Sequence, residues 1–265
     1  MTSTTGANAA VTSKRWTAAR PVLVIGFWVA VWQAATMVVH QDILLVSPGA
    51  VLSRLTDLVV TADFWGTIAH SFLRIAAGFL AAALVGVLTA ALAASSHVID
   101  ALATPLVTAI RSTPVVSFII LVLIWAGSGQ LAFVISFLMV VPITYTNVLE
   151  GIRHRDPALL EVASVFRVPL MRRVPAIDIP AVLPFFIAAC KIGVGLAWKS
   201  GIAGEVIGLP QGSIGEKLYQ AKIFLSTADL LAWTVVIIVI SFGFERLVLT
   251  LLKHVQVQLS HGRAA

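Results

Sequence analysis

The chain has 265 residues, 59% hydrophobic and 11% charged, with a mean hydropathy of +0.98. An ordinary soluble domain carries roughly 25% charged residues, so much of this surface does not face water and a water-soluble globular domain is excluded. A formal charge of +6 and a pI near 10.0 would suit a nucleic-acid binder, but the basic residues are scattered between apolar segments rather than gathered on one face, which excludes nucleic acid as a partner.

In chain order, residues 1–20 read as a short polar tail carrying Lys14, Arg15 and Arg20. They precede an apolar stretch from Pro21 to Val39, which is long for a cleavable leader and reads as a retained anchor. Further apolar runs predict spans at about 66–94, 101–126, 130–149, 182–207 and 229–252, with 253–265 as a second tail. Each approaches the roughly 20 residues needed to cross about 30 Å of hydrocarbon. The expectation is an all-α, polytopic membrane protein with six transmembrane helices between residues 21 and 252.

The charged loops then suggest a direction, because lysine and arginine are retained on the cytoplasmic side. With six spans, the first tail, a loop of about 150–181 with Arg153, Arg155, Arg167, Arg172 and Arg173, and the end with Arg246, Lys253 and Arg263 fall on one side. The opposite loops hold Arg54 against Asp42, Asp57 and Asp63, and Lys217 and Lys222 against Glu216. Both termini are therefore expected in the cytoplasm.

In the second span Gly78, Ala82, Gly86, Ala90 and Ala94 recur every four residues. Such a stripe allows another helix backbone to approach closely. Prolines at 105, 114 and 142 fall in the third and fourth spans, where each removes a backbone bond and bends its helix. No inverted repeat relates the two halves.

Ionisable residues inside spans are Arg74, Arg111, Lys191, Lys199 and Glu205. A charge near the bilayer centre costs about 2.5–3.5 kcal/mol even on the gentler scale, so Arg111, Lys191 and Lys199 are candidates for a solute pathway or, alternatively, for structural pairing. Lys191 is the deepest. Lys199 and Glu205, near the outer end of their span, are expected to snorkel.

Between the fourth and fifth spans, Asp156-Pro157 begins a short helix: the aspartate accepts orphan N–H groups and proline suits the first helical position. Leu159, Val162, Ala163 and Phe166 are expected to share one face. A tethered amphipathic helix of this kind fits either a groove on a soluble partner or the bilayer surface.

Its sequence resembles the cytoplasmic signature of the permeases of binding-protein-dependent importers, Glu-Ala-Ala, three residues, Gly, nine residues, Ile, one residue, Leu-Pro. Here the match reads Glu161-Val162-Ala163, then Arg167 in place of the glycine, then Ile177-Asp178-Ile179-Pro180. A residue other than glycine implies that the bend either differs or is strained, with Pro169 as another source of the break. Ser47-Pro48, the run His70 to Phe79, Arg111-Ser112-Thr113-Pro114, Gly151 with Asp156-Pro157, and Gly193 to Trp198 are similar to the nitrate/sulfonate/taurine branch of these permeases.

The resemblance implies a type I importer fold and a bacterial inner-membrane location. It implies a second permease subunit, identical or homologous, two cytosolic ATP-binding subunits that grip Glu161, Val162, Ala163, Phe166, Arg167, Ile177 and Pro180, and an extracytoplasmic solute-binding protein. ATP and magnesium would be held by the partner ATPase and no cofactor by this chain, which is therefore expected not to be an enzyme. Consistently, the nearest approach to a phosphate loop, Gly193 to Ser200, has Trp198 where the last glycine belongs, and one cysteine with six scattered histidines offers no metal spacing. The alternative reading is a self-sufficient secondary transporter or channel.

Overall fold

A computed structural model describes residues 6–41 and 43–261, with side chains for 23–41 and 43–258. The charges at Lys14, Arg15, Arg20, Asp42 and Arg263, which helped to orient the spans, lie outside the described side chains. The chain divides into two compact units, residues 1–61 with 221–232, and residues 62–220 with 233–265.

The first unit holds helices α1 (Gly6–Val39) and α2 (Pro48–Val59). Ser47 caps α2 by accepting the Ala50 N–H, and Pro48 opens its first turn, as a proline can where no N–H is needed. Trp32 donates to the Val46 carbonyl at 3.0 Å, and Arg54 binds Asp229 at 2.5 Å.

The second unit is built on α3 (Ala62–Ser95), α4 (His97–Ser112), α5 (Val115–Ala126), α6 (Leu131–Arg153), the short α7 (Pro157–Val165) and α8 (Leu170–Arg173), and α9 (Ile179–Gly208). Helix α10 (Ile214–Ile223) and the long α11 (Thr227–His261) follow. Among the described residues, four helical stretches are long and apolar enough to cross a membrane: 62–95, 128–153, 170–208 and 227–258. The expected third span, 101–126, is not one straight helix. It is the pair α4 and α5, bent by 102° and counting at most as a fifth span. In the expected first span, the described apolar part of α1 is Leu23–Val39.

The bend has a local cause. Proline disfavours helical geometry in the residue before it, and Thr113 accordingly has ψ 132°, outside the helix. Pro105, by contrast, lies within α4 and Pro142 within α6 without ending either helix.

Helix α6 is the centre of the second unit, packed on one side by α3 and on the other by α9. Small residues set the spacing. A Cβ at Gly78 would run into the Phe133 carbonyl, and one at Gly86 would lie 2.6 Å from the Thr144 side chain. Ala82, between them, and Ala90, one turn beyond, are fully buried, whereas Ala94, at the end of the same stripe, is exposed. On the other side Gly193 faces Val140, Gly201 faces Ser136, and the Ser136 hydroxyl donates to the Ala197 carbonyl at 2.9 Å. Close backbone approach of this sort replaces the hydrophobic drive that lipid does not supply.

Candidate functional site

Three features of the second unit bear on function, and the loop between α6 and α9 is the first. The Asp156 carboxylate accepts the Ala158 N–H at 2.9 Å, capping α7 where the sequence places a start. At the other end Val168 N–H reaches the Ala163 carbonyl at 2.8 Å and Arg167 N–H reaches Ser164 at 3.0 Å. These paired bonds form the usual left-handed helix stop. Arg167 occupies its left-handed position, with φ 48°. The left-handed bend is thus made with an arginine in it, and Pro169 instead precedes the next short helix, α8.

Helix α7 is amphipathic, though not along the expected line. Ala163 is 5% exposed and turned inward, while Leu159, Val162, Val165 and Phe166, the last 76% exposed, stand outward with Glu161. Ala163 therefore leaves the expected outward face and Val165 joins it. Leu170 and Met171, in α8, are also exposed.

The loop is fastened through Asp178. Its carboxylate receives Arg155 at 2.6 Å and Arg173 at 3.2 Å, and Arg155 also donates to the Ile152 carbonyl. Residues Val174–Asp178 form a turn of π-helix. Pro175 and Pro180 each lack an N–H, and between them the chain widens so that Ile179 N–H bonds back to Val174. Ile177 and Pro180 are both half-buried on this segment.

The second feature is a face of α9. Lys191, Gly195 and Lys199 are exposed and lie four residues apart, hence in one stripe about 6 Å per step. A Cβ added to Gly195 would meet nothing within 4 Å. Ile192 stands exposed beside them. Arg111, also exposed, sits in the last turn of α4; among the described residues no bond joins it to either lysine.

The third feature was hidden from the sequence. Glu205 does not snorkel: it is 0% exposed. One carboxylate oxygen accepts from the Ser71 hydroxyl at 2.8 Å and from Gly215 N–H at 3.1 Å, while the Ser71 oxygen accepts Ile214 N–H at 2.9 Å. The carboxyl group therefore meets the N-terminus of α10, where unpaired N–H groups and the helix dipole favour an anion. It pins α10 to α3 and α9. The only sequence signal was Gly215, whose missing Cβ leaves room for Glu205.

Among the described residues no group of three or more histidine, cysteine, aspartate or glutamate side chains could hold a metal ion. Residues 82–256, which take in Gly86, Gly193 and Gly201 of the glycine seam, the loop and α9, match the family of binding-protein-dependent transport system inner membrane components. The chain belongs to that family. This permease is 25% identical over 220 residues to the taurine transport system permease of Escherichia coli (strain K12), covering 81% of this chain and 80% of that one. A Bacillus subtilis (strain 168) relative named for aliphatic sulfonates transport is 24% identical over 230 residues, 86% and 83% of the two chains. The bicarbonate transport permease of Synechococcus elongatus is 32% identical over 146 residues, 54% and 52% of the two chains. These relatives are transport permeases rather than enzymes, and the permease is a multi-pass membrane protein of the ABC importer class.

Proposed function

We propose that this permease forms half of a translocation path for a small anionic solute and is driven by separate ATPase subunits that seat on α7. The observation that carries the reading is the outward apolar surface of α7, with Phe166, Val165 and Val162 uncovered beside Glu161 on a tether between two spans. An uncovered apolar patch on a capped helix calls for a partner groove. Both termini and this loop lie in the cytoplasm of a bacterial cell. Two ATP-binding subunits hold ATP and magnesium, a second permease subunit completes the path, and an extracytoplasmic binding protein delivers the solute to the opposite side.

Lys191 and Lys199 line the path. In hydrocarbon each charge would be penalised by about 2.5–3.5 kcal/mol, so a face carrying both belongs against water, solute or another chain. Gly195 between them keeps the lane open. An anionic solute agrees with the sulfonates and bicarbonate named for two relatives, and the sulfonate group of zwitterionic taurine, named for a third, offers the same anionic head.

Reconstitution of the permease with its ATPase and binding protein in vesicles tests the coupling. Glu161→Lys should insert normally and lose at least tenfold in ATP-dependent uptake; uptake at the unaltered rate would sink the coupling role. Lys191→Met should reduce uptake of an anionic solute while leaving folded yield unchanged, and full uptake by that variant would remove Lys191 from the path.

A further inference from the structure

The glycine seam closes the second unit at one end and leaves it open at the other. Beyond Gly86, helix α3 has no further glycine, and α9 meets α6 by setting the Phe185 ring against Gly151, where a Cβ would lie 3.0 Å from the ring. As α3 and α9 part, a trough of about 550 Å³ opens between them with α6 as its floor. Val87, Ala91, Val148, Val182, Leu183 and Phe186 make its walls apolar.

Its mouth is different in kind. Arg155, Arg173 and Asp178 stand there, two cations to one anion. Arg155 Nη1 and Arg173 Nε are bound to Asp178, and Arg155 Nε to Ile152. Those bonds leave Arg155 Nη2 and both Nη groups of Arg173 with N–H donors for a further acceptor.

We propose that this trough binds an anionic glycerophospholipid, with one acyl chain lying along Ala91, Val148, Val182 and Phe186 and the phosphate held by Arg155 and Arg173. An apolar slot ending in net positive charge matches an amphiphile with an anionic head. A small oxyanion would leave the apolar walls bare, and a neutral lipid would leave the arginines without their counter-charge. Basic pockets between membrane helices at the cytoplasmic level are where anionic headgroups are recognised. The π-helical turn brings Asp178 and Arg173 to the mouth, so the lipid phosphate touches the same side chains that fasten the α7 loop. The inference rests on the proposed cytoplasmic placement of the α7 loop in a membrane, but it does not need the ATPase reading.

The test is native mass spectrometry of the full chain, delipidated in mild detergent and titrated with phosphatidylglycerol, with phosphatidylcholine of the same acyl chains, and with inorganic phosphate. Phosphatidylglycerol should bind at least about fivefold more tightly than phosphatidylcholine, the factor one basic side chain contributes near an anionic surface, and inorganic phosphate should not bind measurably. Arg173→Gln should bring phosphatidylglycerol down to the phosphatidylcholine level. Ala91→Trp, which fills the slot, should weaken both lipids. Equal binding of the two lipids by the unaltered chain, or undiminished lipid binding by Ala91→Trp, would overturn the proposal. So would efficient cross-linking of two copies through Ser95→Cys, because the trough would then be a subunit contact. Loss of ATPase coupling with lipid binding intact would strike only the importer reading.

Discussion

The two ends of the second unit are fastened by opposite means. Away from the loop, α3, α6 and α9 touch through glycines, and α10 is held by the buried Glu205 carboxylate against backbone N–H groups. At the loop end the fastenings are ion pairs of partly exposed side chains around Asp178, the helices part around a trough, and the outward face of α7 is uncovered. The first kind of contact tolerates little movement, since dense packing resists small displacements. The second can be remade without unfolding. A bundle rigid at one end and re-attachable at the other suits a part that is worked from outside by a partner on its loop.

The comparison breaks most decisively at Gly78. Gly78→Leu drives a side chain against the Phe133 carbonyl and the Ser136 Cβ, 3.0 Å from where a Gly78 Cβ would stand. The nearer obstacle is backbone, which cannot swing aside, so the expected loss is about 3 kcal/mol, the upper part of the range for forced overpacking. Folded yield in the membrane should collapse. A variant that accumulates and unfolds like the parent would show that the seam is looser than its geometry.

Glu205→Ala comes next. It strips the acceptor from Gly215 N–H and from the Ser71 hydroxyl in a site sealed from water, and leaving such donors unmet costs about 1–3 kcal/mol. The unfolding midpoint should fall, and hydrogen exchange should rise first at Gly215, the N–H that loses its partner. Exchange confined to the α7 loop instead would mean that Glu205 does not fasten α10.

What the sequence makes legible follows from how local each feature is. The start of α7 is readable because Asp156, Pro157 and Ala158 settle it among themselves. The seam is readable because Gly78, Ala82 and Gly86 repeat at helical spacing. The break at Pro114 is visible as a proline, yet Pro105 and Pro142 carry the same residue inside continuous helices; the outcome depends on whether the preceding residue leaves helical geometry, which composition does not reveal. Glu205 misleads for a related reason. Its depth along α9 suggests snorkelling, but its partners come from α3 and from the start of α10, and only tertiary packing brings them together. The inward turn of Ala163 likewise depends on what lies behind α7.

The smallest expected effect lies at Arg167, and it probes the loop end alone. Its φ of 48° places an L side chain in left-handed geometry, which costs roughly 1–2 kcal/mol. Arg167→Gly removes that strain, while the greater freedom of glycine in the unfolded chain takes back about 0.4–1 kcal/mol, so the net gain is at most about 1.6 kcal/mol. A global unfolding midpoint, governed by the glycine seam, should barely move. The gain should appear locally, as up to about fifteenfold slower hydrogen exchange at the amides of residues 167 and 168 that close the α7 stop. Unchanged exchange there would mean that the loop holds its bend through the Asp178 ion pairs alone. The stop would then contribute no tension of its own to the loop.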